Sequence, residues 1–77
     1  MTIAVIAANA RRRYREMKAA RKVDPHLPEP RWNDIVFEMV THSGYRSDEV
    51  EEVMSKVNIE AAAQRRRFVQ SWKGRSP

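Results

Sequence analysis

The chain has 77 residues, 15 Lys and Arg against 10 Asp and Glu, a net charge of +5 and no cysteine. That length supports one small domain near the lower limit for a core without staples, and the missing cysteines exclude disulfides, thiolate metal sites and a thiol nucleophile. The charge is arranged in blocks: seven basic residues against Glu16 alone in 1–23, nine acids against three bases in 24–63, and five bases with no acid in 64–77.

The first periodic segment runs from Ile3 to about Lys22 and reads as a helix of strong formers, with Thr2 as its cap. Ile3, Ile6, Ala7, Ala10, Tyr14 and Met17 recur at three- and four-residue spacing and form one apolar stripe. Arg11, Arg15, Lys18 and Lys22 fall on a neighbouring flank with Arg12 beside them, so an apolar seam and a basic face share one helix. The run Ile3–Ala8 is too short for a membrane span, and its basic cluster follows instead of preceding it, the reverse of a signal peptide. The expectation is a soluble cytoplasmic protein with no membrane contact.

Three prolines between Asp24 and Pro30 forbid helix, so 24–31 is expected to be a semi-rigid linker dividing a basic arm, 1–23, from a helical core module, 32–73. The second helix is expected to begin at Asn33 as cap, with Trp32 and Phe37 at the positions of a hydrophobic staple. Ile35, Val36, Met39 and Val40 supply its buried stripe, and Gly44 is placed to close it in a left-handed conformation.

Ser47 or Asp48 is the expected cap of the third helix, Asp48 and Glu51 having capping-box spacing. Val50, Val53, Met54, Val57 and Ala61 follow a helical period, and Asn58 marks a candidate break or kink. Phe68 and Trp72 continue that face towards Gly74, with a frayed tail over 74–77. No run alternates apolar and polar residues, and the expected fold class is all-α: a helix-turn-helix-like hairpin plus a basic N-terminal helical arm.

Catalytic chemistry has no foothold in this pattern. His26 lies between prolines and His42 near a helix end, neither with a carboxylate at a motif spacing, and Glu49, Glu51, Glu52 and Glu60 lack the histidine or glycine signatures of a metal or acid–base site. A non-enzyme without metal or cofactor is expected.

The unit from Asp34 to Val57 resembles the helix-turn-helix of DNA-binding proteins, with Met39, Val40, Tyr45, Val50 and Val53 at its apolar positions around Gly44. That resemblance implies that the helix after the turn enters the major groove. Here it opens on Asp48, Glu49, Glu51 and Glu52, which a phosphate backbone repels, so a packing role is the favoured expectation and a repressor the alternative. The segment Asn9–Lys22 resembles the arginine-rich motif of the N-type antitermination proteins of lambdoid phages, Ala10 and Arg11 to Arg15 carrying the likeness. In size, helicity and basicity the chain is similar to small phage proteins that bind bacterial RNA polymerase.

These resemblances imply a transcription regulator. Arg11, Arg12, Arg13, Arg15, Lys18, Arg21, Lys22, Arg65, Arg66 and Arg67 would face RNA or DNA. Ile3, Ile6, Tyr14, Asp48, Glu49, Glu51 and Glu52 would meet the large subunits of RNA polymerase, with Trp32 and Trp72 as core or interface anchors. A small assembly protein touching packaged nucleic acid is the remaining alternative.

Overall fold

The computed structural model describes residues 2–74, with side chains through residue 71. Three helices follow in chain order: α1 (Ile3–Val23), α2 (Trp32–His42) and α3 (Val50–Gly74), all packing on one another, and no strand occurs among the described residues. The Trp72 side chain and residues 75–77, where the tail was expected, lie outside the described residues.

Each boundary has a local cause. Thr2 caps α1 as expected, its Oγ1 accepting from Val5 N–H at 3.2 Å. At the other end Pro25 bars continuation, and Asp24 turns the chain by accepting from His26 N–H at its side chain and Leu27 N–H at its carbonyl. α2 begins one residue before the expected cap: Trp32 is already helical, Arg31 occupies the cap position, and no side chain caps it. Gly44 closes α2 with φ +89°, the backbone that only glycine adopts freely.

The expected capping box of α3 does not form. Residues 47–49 make a turn, the first helical residue is Val50, and the Asp48 carboxylate accepts from Arg46 Nη2 at 3.0 Å. Asn58 does not break α3, which runs unbroken through it. Its side chain accepts from Trp32 Nε1 at 2.7 Å, which removes the local backbone competition that makes asparagine a poor helix former.

One core holds all three helices together. Ile6, Ala7 and Ala10 of α1 are fully buried with Val36 and Val40 of α2 and Val57 of α3, and Ile35, Val50, Val53 and Ala61 complete the cluster. The expected boundary between a separate arm and a core module therefore does not divide the packing. Its apolar seam closes onto α2 and α3, because the small Val and Ala side chains there let three helix axes approach closely. Ile6, expected on a partner surface, is sealed inside, and Ile3 packs half-buried against the cluster. The Trp32–Phe37 staple is absent as well: Phe37 is exposed, and Trp32 turns to α1 and α3 instead. Gln64 Nε2 donates to the Ala4 carbonyl at 2.9 Å, a further tie between α1 and α3.

Candidate nucleic-acid interface

Successive residues of a helix point about 100° apart, so the run Arg11-Arg12-Arg13 cannot act as one patch. With Ala7 and Ala10 fixed in the core, Arg11, Arg15 and Lys18 stand over the groove between α1 and α3, while Arg12 and Arg13 line a different groove against α2. That second groove is mixed in sign, since Glu29, Asp34 and Glu38 line it too. Arg12 reaches only as far as Asn9 Oδ1, at 3.4 Å.

The C-terminal arginine run is divided in the same way. Val57 and Ala61 anchor α3, and one turn beyond Ala61, Arg65 joins the groove with Arg66. Arg67 points to another flank and pairs with Glu60 at 3.0 Å. Two clusters some fifty residues apart in the chain thus contribute five cations to one groove: Arg11, Arg15, Lys18, Arg65 and Arg66. Among the described residues none of the five makes an ion pair.

The groove floor is aromatic. Tyr14 and Trp32 meet edge to face with centroids 5.9 Å apart and an interplanar angle of 86°, and Lys18 Nζ stands 5.2 Å from the Tyr14 ring centroid. The Trp32–Asn58 bond locks this floor to α3. Phe68 and Val69 form the outer rim, 56% and 42% exposed. The electrostatic mark of the site is on Arg11, whose pKa is lowered by partial burial first and then by repulsion from Arg15 and Arg65. Arginine stays protonated regardless, so the groove is a standing concentration of positive charge with no carboxylate among its described lining residues.

The remaining expected site residues lie elsewhere. Arg21 is exposed and its Nε donates to the Leu27 carbonyl at 3.2 Å, while Lys22 sits beside it in the last turn of α1, where cations complement the helix dipole. The acidic residues cluster at the start of α3. Arg46 holds Asp48 and lies 3.7 Å from Glu49, Lys56 lies 3.5 Å from Glu52, and Glu51 is exposed. Tyr14, expected on a protein-docking seam, is half-buried under the cations instead. Sequence reasoning missed Asn58, Phe68 and Val69 as groove residues, and the one available signal was their shared flank with Arg65 on a helical wheel.

Among the described residues no group of His, Asp and Glu is placed to hold a metal ion, and no helix is long and apolar enough to cross a membrane. No known protein family, curated protein or solved structure matches the chain.

Proposed function

We propose that the protein is a non-enzymatic, nucleic-acid-binding regulator of transcription whose contact surface is the groove between α1 and α3. The observation that carries this reading is the convergence of Arg11, Arg15, Lys18, Arg65 and Arg66 on one concavity, none of them ion-paired among the described residues, with aromatic rings beneath them. Uncompensated guanidinium groups held together cost the folded state electrostatic free energy, and a polyphosphate backbone reverses the sign of that term while releasing its own counterions. Binding of labelled RNA and DNA over a range of salt concentrations tests it. Affinity falling steeply with salt supports the reading, and no measurable binding at low salt overturns it.

RNA polymerase is the protein partner in this proposal. The support is geometric: the acidic start of α3 is separated from Arg65 by fifteen residues of helix, about 22 Å, so a protein can meet one end while nucleic acid fills the groove. Recovery of the polymerase large subunits from a bacterial lysate after nuclease treatment is the expected result. Their loss on nuclease treatment would mean that nucleic acid alone joined the two. A helix-turn-helix repressor draws less support, since the helix following Gly44 opens on Glu51 and Glu52, with Asp48 and Glu49 just before them.

A further inference from the structure

Duplex and single strand make different demands on a protein surface. A duplex is read by a convex element, a helix or ribbon that enters a groove of the nucleic acid, while its base faces stay hidden in the stack. Here the cations line the walls of a concavity in the protein, with rings at its floor and rim. A concave basic channel with accessible aromatic faces is the arrangement that suits an unpaired strand, whose backbone tracks the charge and whose bases stack on the rings. Phe68 is the feature that a phosphate-only reading leaves unexplained: a large apolar ring, more than half exposed, set beside Arg65 and Arg66 at the mouth of the groove. Tyr14 and Trp32 meet each other edge to face and are half-buried, whereas Phe68 is more than half exposed.

We infer that the groove takes an unpaired polynucleotide strand, with a base stacked on the Phe68 ring and adjacent phosphates held by Arg11, Arg15, Arg65 and Arg66. This rests on the reading of the groove as a nucleic-acid site and names the strand state that it selects. The recognition is of backbone charge and base faces, so it tolerates many sequences, and RNA and DNA strands both satisfy it.

The test is titration of the full chain with fluorescent oligo(U), oligo(dT) and a duplex of matched length at fixed salt. Both single strands are expected to bind about tenfold more tightly than the duplex. Phe68→Leu keeps apolar bulk without a ring and should lose about tenfold in single-strand affinity with no change in salt slope, while Phe68→Tyr retains affinity. Phe37→Ala serves as the control, because Phe37 is similarly exposed at 53% and lies outside the groove lining. In a Trp72→Phe background, Trp32 becomes the sole tryptophan, and its emission should change as the strand fills the groove. Equal affinity for duplex and strand, or a Phe68→Leu variant that binds like the parent, overturns this inference and leaves the basic groove standing as a nucleic-acid site. No binding of any probe overturns both.

Discussion

Trp32 is the residue on which the groove depends. It opens α2, meets Tyr14 of α1 edge to face and donates to Asn58 of α3, so one side chain ties together the three helices. Trp32→Phe preserves most of the ring contact and removes the hydrogen bond, leaving the Asn58 acceptor to water. Thermal or urea unfolding should show a loss of about 1 kcal/mol. A larger loss would mean that the indole fills space that phenylalanine cannot. Gly44 makes a second demand of this kind. Its φ of +89° is strained for any residue with a Cβ, yet an added Cβ would meet no atom within 4 Å. Gly44→Ala should therefore cost only the backbone term, about 1–2 kcal/mol, and Gly44→Asn less, as measured by urea midpoints.

At the scale of elements, the decisive relation is that α1 is part of the core and not an appendage. Ile6→Ala removes a fully buried side chain at the meeting point of all three helices, and should cost about 2–5 kcal/mol, enough to unfold much of so small a domain. Circular dichroism should then show helix lost across the whole chain; loss confined to the α1 share would restore the detachable arm. The helices themselves were legible in the sequence because Ile6, Ala10, Val36, Val40, Val53, Val57 and Ala61 recur at helical spacing and bury as that spacing implies. Their starts were less legible. Asn33 and Asp48 carry the side chains of good caps, but Trp32 gains more from packing inside α2, and Arg46 claims the Asp48 carboxylate. The groove was half legible: charge density marked both basic clusters, whereas the division of each run between faces depends on which side of α1 and α3 the core occupies. No local pattern encodes the approach of Arg11 to Arg65 or the bond between Trp32 and Asn58, since both are products of tertiary packing.

Across the whole molecule, charge is graded along α3, with Glu51 and Glu52 in its first turn and Arg65 to Arg67 in its second half. The acids at its start favour the helix dipole, a structural return of a few tenths of a kcal/mol per residue, whereas Arg65 to Arg67 lie about two turns before Gly74, outside the last turn where the dipole acts. A further part of the charge goes into local contacts, such as the bond from Arg21 to the Leu27 carbonyl. Among the described residues four ion pairs use Arg46, Lys56 and Arg67, and the groove cations stand outside that set. Repulsion among Arg11, Arg15 and Arg65 is a cost that a bound polyanion relieves. The most direct test is the slope of log affinity for RNA against log salt, compared between the parent, Arg11→Ala/Arg65→Ala and Arg12→Ala/Arg13→Ala. The groove predicts a slope lowered by roughly 0.7 for each phosphate contact removed in the first pair, and little change in the second. Equal losses from both pairs, or an unchanged slope in the first, would contradict it.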